Sequence, residues 1–198
     1  MLSTNSAMKL ILASTSRYRK ELLARLNLAF DSVAPEVDET PLANEQPTDT
    51  ARRLALAKAQ AVRDRHPQSL IVGSDQVAIC DGKRLDKPGN HVNAVRQLQL
   101  ASGRSVVFHT AVVLLNSGSG RIQTELVPTE TRFRSLSAEE IVRYLRAEPA
   151  YDCAGSAKSE GLGISLLEEI HSPDPTALIG LPLIALCAML RNENITIP

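Results

Sequence analysis

The sequence of 198 residues has no tryptophan and only six aromatic residues, three phenylalanines and three tyrosines. Its interior must therefore be packed with aliphatic side chains. Cysteine is scarce and odd in number, and Cys80, Cys153 and Cys187 lie far apart. With no CxxC and no Cys/His ligand spacing, neither a disulfide framework nor a structural zinc site is indicated. His66, His91, His109 and His171 are equally scattered and read as ordinary surface or core histidines. There is no excess charge of either sign, with 22 basic against 22 acidic side chains. That balance argues against a general nucleic-acid or membrane-surface binder, which needs a basic surplus. Long hydrophobic runs are missing as well. Leu10 to Ala13 is strand-sized, too short for a signal peptide or a membrane span. A soluble, cytoplasmic protein is expected.

What is present is ordinary globular material: 43% hydrophobic and 22% charged residues, which excludes a wholly disordered chain. No repeat, low-complexity tract or linker divides it. Residues 1–7 read as a polar lead-in, with Met8 as an alternative start, and residues 8–198 as a single domain. Strands are expected over 8–13, 30–34, 69–80, 104–115, 121–133 and 162–170, and helices over 16–27, 49–66, 91–101, 137–147 and 181–192. Ser16 is a suitable N-cap for the first helix, and Ser137 with Glu140 forms a capping box. In the second helix Leu54, Ala57, Ala61 and Val62 read as the apolar side. Asp81-Gly82 is a hairpin turn signal. Interleaved helices and strands around a long central hairpin, 104–133, predict an α/β protein with a mixed sheet and flanking helices.

Five segments carry chemical potential. In Leu12 to Lys20 (LASTSRYRK) a strand ends, hydroxyl residues follow and a helix opens. Free N–H groups and the positive helix end suit an anion there, and an arginine can grip phosphate bidentately. It is not a Walker A loop, because the glycines are missing, and an ordinary cap before solvated basic residues fits the same pattern. The loop PEVDET offers Glu36, Asp38 and Glu39 as hard oxygen ligands for magnesium or manganese, or merely a solvated acidic surface. In Gly73-Ser74-Asp75-Gln76 an aspartate interrupts an apolar strand, which is costly unless it is paired or coordinating. Gly73 permits close approach of a ligand or of another chain segment. Lys58, Lys87 and Lys158 are three of only six lysines, and together with the acids they fit a site that neutralises polyphosphate. Finally, Ala154 to Gly163 (AGSAKSEGLG) describes a loop with exposed backbone, whose Glu160 can accept from a guanine's Watson–Crick edge or face solvent.

In this order, the segments LASTSRYRKELL, PEVDET, LALAKAQA, GSDQ, DKP, FRSLSAEEI, CAGSAKSEGLG and GLPLIAL resemble the Maf family of nucleoside triphosphate pyrophosphatases over nearly the whole chain. GSDQ and KSEG are most similar to the branch that acts on 7-methyl-GTP. The resemblance implies a mixed α/β fold with two lobes around a central cleft, and a divalent cation (Mg2+, Mn2+ or Co2+) as cofactor. It implies hydrolysis of a nucleoside triphosphate to the monophosphate and pyrophosphate, and suggests a homodimer. By motif it makes Asp75 the general base and a metal ligand, with Glu39 as the second metal ligand. Ser14, Arg19, Lys58 and Lys87 would bind phosphates, and Tyr18, Gln76 and Glu160 would set base specificity. Two positions depart from the family pattern: Arg17 stands where proline is usual, and Tyr18 where arginine or tryptophan is common. Within the family the alternative is a dTTP/UTP pyrophosphatase; outside enzymology it is a nucleotide-binding regulator of cell division.

The chemistry of the base fits the methylated choice. N7-methylation makes the purine a cation, which favours an aromatic face and a carboxylate. Tyr18 can stack, Glu160 can accept from N1–H and the 2-amino group, and Gln76 can add an amide. A neutral pyrimidine would leave Glu160 buried and unpaired.

Overall fold

The computed structural model describes residues 8–197; the lead-in over residues 1–7 lies outside the described residues. The strands are β1 (Lys9–Ala13), β2 (Phe30–Val33), β3 (Ser69–Cys80), β4 (Lys83–Leu85), β5 (Ser105–Asn116), β6 (Ile122–Phe133) and β7 (Leu167–His171). The helices are α1 (Arg17–Ala24), α2 (Pro47–Ala61), α3 (His91–Ala101), α4 (Ala138–Ala147) and α5 (Leu183–Asn192). The strands form one seven-stranded sheet in the order β2-β1-β3-β5-β6-β7, with β4 paired to β3. β1 is parallel to β2 and β3, while the β3–β5, β5–β6 and β6–β7 pairs are antiparallel. The expected mixed sheet with flanking helices is therefore present.

Local signals placed most ends. Ser16 caps α1 by accepting the Arg19 N–H, and Ser137 and Glu140 complete the capping box of α4. Asp81 and Gly82 both take positive φ, as the tight β3–β4 turn demands. α2 starts earlier than the periodicity predicts because Pro47 opens its first turn, where a missing N–H costs nothing. It ends at Ala61, and a short 3-10 turn, Arg63–Arg65, carries the chain on. Its buried stripe is Ala51, Leu54, Ala55, Lys58 and Ala59, continued by Val62; Ala61 is exposed and Ala57 half-buried. The strand expected over 162–170 begins only at Leu167. Before it lies a 3-10 turn, Leu162–Leu166, because the chain folds so closely back at Gly163 that a Cβ there would sit 2.6 Å from the backbone of Lys158.

Packing is aliphatic, with one aromatic corner. The α2 face of the sheet buries Ile11, Ile71, Val77, Val113 and Leu115 against the helix's alanines. The opposite face packs Leu12, Leu70, Val72 and Leu114 against α1 and α5. Beyond β4, α3 and α4 enclose Phe108, Phe133 and Tyr144. Gly73 is the closest crossing between layers. A Cβ there would lie 2.1 Å from the Ala55 carbonyl oxygen, so the glycine admits a helix, not a ligand.

The pairing register opens a gap. β1 covers β3 only as far as Val72, and β4 begins only at Ala78. Residues 73–77 keep β5 on one side and have no strand on the other. Alternation along this bare edge sends Gly73 and Asp75 towards α2, and Ser74 and Gln76 to the opposite face. The same gap lies at the C-terminal end of β1, where α1 begins.

Candidate active site

A cavity of about 830 Å3 occupies this gap. Its walls come from the first turn of α1, the acidic loop, Lys58 of α2, Asp75 and Gln76 of β3, the segment around Lys87, and loops near residues 152–160 and 178–180. The strand edge supplies reactive side chains from both faces of the sheet at once, which an interior stretch of strand could not do.

One end of the cavity is a charge cluster. Lys58 Nζ donates to Asp75 Oδ1 at 2.6 Å and lies 2.8 Å from Glu39 Oε1. The lysine does not snorkel: it and Asp75 are both buried, while Glu39 is more than half exposed. Burial alone would push the Glu39 carboxyl up. The Lys58 hydrogen bond, and the charges of Lys58, Lys87 and Arg19, outweigh it and hold Glu39 below its ordinary range. Burial pulls the Arg19 guanidinium down, against the opposing charges of Asp75 and Glu39. Arg19 Nε donates to the Gly180 carbonyl at 2.8 Å, leaving its terminal nitrogens for an anion. Lys87 is exposed at the rim.

Two loops are fastened so that these groups meet. The acidic loop is clipped to α2 by Glu45, whose oxygens take Arg53 Nε and Nη2 at 2.6 and 2.8 Å. Mainly through that pair, the Glu45 carboxyl falls to about 2. The 174–182 loop is fastened by Asp174, buried, which accepts from the Ile184 N–H at the start of α5 and from both the N–H and the hydroxyl of Thr176. That loop turns its carbonyls onto β3. Gly180 accepts from Ser74 as well as Arg19, and Ala177 and Leu178 accept from the Gln76 amide at 3.0 Å each.

The other end is aromatic and acidic. Tyr18 donates its hydroxyl to Asp152 Oδ2 at 3.1 Å and accepts from Arg17 at 2.7 Å. Above the Tyr18 ring the Arg17 guanidinium carbon lies at 4.7 Å and Lys158 Nζ at 5.9 Å. Cys153 lines the same wall, and burial, reinforced by the Asp152 charge, pushes its thiol to about 12 against the Tyr18 hydrogen bond. Glu160 stands at the rim, exposed. Its loop is held from behind by Glu148, which accepts from the Gly163 N–H and the Tyr144 hydroxyl.

Asp75, Glu39, Lys58, Lys87, Arg19, Tyr18, Gln76 and Glu160 thus converge on one cavity. Four expectations change. Ser14 is buried behind the wall, its Oγ accepting from the Ser16 N–H, and Thr15 and Ser16 line the cavity in its place. Lys158 stands with Asp152 and Tyr18, away from Lys58, because Lys158 is tied to the Pro149 carbonyl and to Asp152. Glu160 is solvated in the free protein, so no neutral base meets a pre-buried carboxylate. Gln76 is more committed than its motif suggests. Its amide hydrogens go to Thr110, Ala177 and Leu178, which leaves only Oε1 for a base. Asp152 was missed by sequence reasoning, since nothing in AEPAYDCAGS distinguishes it from a solvated loop acid. The buried stripe did hold a signal for Lys58: Leu54, Lys58 and Val62 follow one another at four-residue spacing.

A divalent cation fits the chemistry of the Asp75–Glu39 pair. Both carboxylates already converge on a single cationic nitrogen. One or two carboxylates with water and phosphate oxygens suit magnesium, whereas no Cys/His set of the kind that binds zinc occurs among the described residues. Among the described residues no group of three or more His, Cys, Asp or Glu forms a preassembled metal cluster, so substrate would have to complete the shell. No helix among the described residues is long and apolar enough to cross a membrane.

Comparison with known proteins found a matching family model and relatives aligned over nearly the whole chain. The family model described as Maf-like protein matches residues 9–193. The 7-methyl-GTP pyrophosphatase of Aromatoleum aromaticum is 56% identical over 190 residues, 96% of this chain and 98% of the relative. That of Thiobacillus denitrificans is 54% identical over 194 residues, 98% and 96% of the two chains. That of Burkholderia pseudomallei is 60% identical over 186 residues, 92% and 86%.

Proposed function

The chain belongs to the Maf family, and from that membership we propose that it is a nucleoside triphosphate pyrophosphatase that hydrolyses 7-methyl-GTP to 7-methyl-GMP and pyrophosphate. The observation that carries the reading is the polarity of this cavity. Cations and the Asp75–Lys58–Glu39 cluster lie at one end; at the other lie an aromatic ring and two carboxylates, with Asp152 and the Tyr18 ring holding the side chains of Arg17 and Lys158 in the free protein. A triphosphate attached to a cationic base has the complementary polarity.

In this reading Arg19, Lys58 and Lys87 bind the triphosphate, and the N-terminus of α1 adds backbone N–H groups beside Thr15 and Ser16. Asp75 is the general base: it accepts a proton from water as that water attacks the α-phosphorus, and the bond to the bridging oxygen of pyrophosphate breaks. Lys58, already bonded to Asp75 Oδ1, keeps the carboxylate aimed and can follow charge onto the leaving phosphates. Asp75 and Glu39 would hold a magnesium, manganese or cobalt ion, which would stabilise charge on the phosphate oxygens. The intracellular supply of nucleoside triphosphates makes the cytoplasm the expected place of action.

The test is a nucleotide panel with each of the three metals, scoring pyrophosphate against orthophosphate. Pyrophosphate release, fastest from 7-methyl-GTP, is expected. Orthophosphate alone would overturn the reaction type, and a preference for dTTP or UTP would overturn the substrate.

A further inference from the structure

Asp152 has no part in the chemistry derived so far, yet it is the centre of the cavity's second end. Its Oδ2 accepts the Tyr18 hydroxyl at 3.1 Å and lies 3.8 Å from Arg17 Nη2; its Oδ1 lies 3.6 Å from Lys158 Nζ. Both cations also stand over the Tyr18 ring, Arg17 at 4.7 Å and Lys158 at 5.9 Å. A carboxylate and an adjoining aromatic face that together hold two positive groups constitute a cation receptor by the ordinary rules of charge and quadrupole. Its present guests are the protein's own side chains. Arg17 is well exposed, and its side chain can swing into solvent at little cost.

A purine alkylated at N7 differs from the parent purine by one delocalised positive charge on the ring and little else in shape. Glu160 can recognise the Watson–Crick edge, but that edge also exists on unmethylated guanine. Discrimination between the two needs a group that responds to the charge itself. We propose that Asp152 is a specificity-determining residue, the counter-charge for a cationic N7-alkylated purine stacked on Tyr18, and that Arg17 holds that place in the free protein. The inference rests on the proposed function for its substrate class. Burial raises the Asp152 carboxyl, but the Tyr18 hydrogen bond and the Lys158 charge outweigh it, so the group is ionised at neutral pH. Arg17 leaves as the base enters, exchanging one cation for another, so the Asp152 carboxylate is paired before and after. A neutral guanine can stack on Tyr18 but gains no attraction from Asp152, whereas the cationic ring does, and that difference is the source of discrimination.

The experiment is calorimetric titration of 7-methyl-GMP and GMP into the wild-type protein, Asp152→Asn and Asp152→Glu. Binding of monophosphates does not depend on turnover, so the result is separable from the hydrolysis panel that tests the reaction itself. Asp152→Asn keeps the shape of the residue and an oxygen for Tyr18 but removes the charge. The affinity ratio of 7-methyl-GMP to GMP is expected to fall about tenfold in this variant, and to return towards the wild-type ratio in Asp152→Glu. An unchanged ratio in Asp152→Asn, or equal losses for both nucleotides, would overturn the assignment, as would a wild-type protein that binds the two nucleotides alike. Failure to hydrolyse 7-methyl-GTP with the binding ratio intact would overturn the proposed reaction and leave Asp152 as a reader of cationic purines.

Discussion

Replacing Lys58 with methionine removes the ammonium between Asp75 and Glu39 while keeping a flexible apolar stem. The consequences for the two carboxylates differ. Glu39 is more than half exposed and can turn to water, whereas the Asp75 side chain is 8% exposed on a rigid strand and cannot. The cost therefore falls on Asp75, as an ionised carboxylate left without its partner at 2.6 Å. Breaking a buried pair on one side costs about 3–5 kcal/mol, and the open cavity, which admits water, favours the lower figure. Urea denaturation should show a loss of about 3 kcal/mol, a midpoint lowered by roughly 1 M for a chain of this size. Two further measurements identify the cause. The double variant Lys58→Met, Asp75→Asn should recover most of the loss. Magnesium at millimolar concentration should stabilise Lys58→Met more than the wild type, because the vacated carboxylates can take the ion. A single variant within 0.5 kcal/mol of wild type, on the usual scale of neutral surface changes, would refute the reasoning. So would a double variant as unstable as the single one.

Asp75→Asn should fold and bind nucleotide but lose turnover by about 10²–10⁴-fold, measured as single-turnover pyrophosphate release; near-normal turnover removes Asp75 as the base. Glu160→Gln should narrow the preference for guanine-type bases over pyrimidines in kcat/KM, and an unchanged order across nucleotides would exclude Glu160 from base reading. Gly73→Ala drives a Cβ into the Ala55 carbonyl and should cost about 1–3 kcal/mol in urea denaturation with the α2–β3 contact disturbed; a neutral substitution contradicts that crossing. The Glu45 carboxyl, at about 2 in the folded protein against an ordinary 4.5, contributes stability that is complete above 4.5 and lost as pH falls through 2. Pepsin at about pH 3.5 should therefore cut the acidic loop of Arg53→Met faster than that of the wild type, and equal rates would show that the clip does not hold the loop.

The legible parts of this fold are the locally determined ones. Ser16, Ser137 with Glu140, and Asp81-Gly82 mark their helices and hairpin because caps and turns depend on neighbours a few residues away. The long β5–β6 hairpin follows from alternation and a short turn. The 3-10 turn before β7 was not legible, since it depends on Gly163 lying against the Lys158 backbone. In the site, the residue types pointed to phosphate, metal and base, but their pairings did not. Nothing in LALAKAQA says that Lys58 will close onto both Asp75 and Glu39. That outcome depends on Gly73 letting α2 approach β3 and on Glu45 clipping the acidic loop to α2. Likewise Gln76 reads as a free amide until the 174–182 loop is seen to take its hydrogens. Asp152 gains meaning only when α1 brings Tyr18 across to it, a partnership 134 residues apart in the chain.

The Gly180 carbonyl carries a temporal consequence. It anchors Arg19 across 161 residues of sequence and Ser74 across 106. Translation at about 5–20 residues per second separates Arg19 from Gly180 by roughly 8–30 s. In the part of that interval after β3 has been made, β1, α1, α2 and β3 can exist as a packed unit, but with Arg19 unanchored and the Gln76 amide without its acceptors. The nascent chain can thus acquire its nucleotide cavity only after α5 has emerged, when that helix draws Asp174 and its loop onto the sheet.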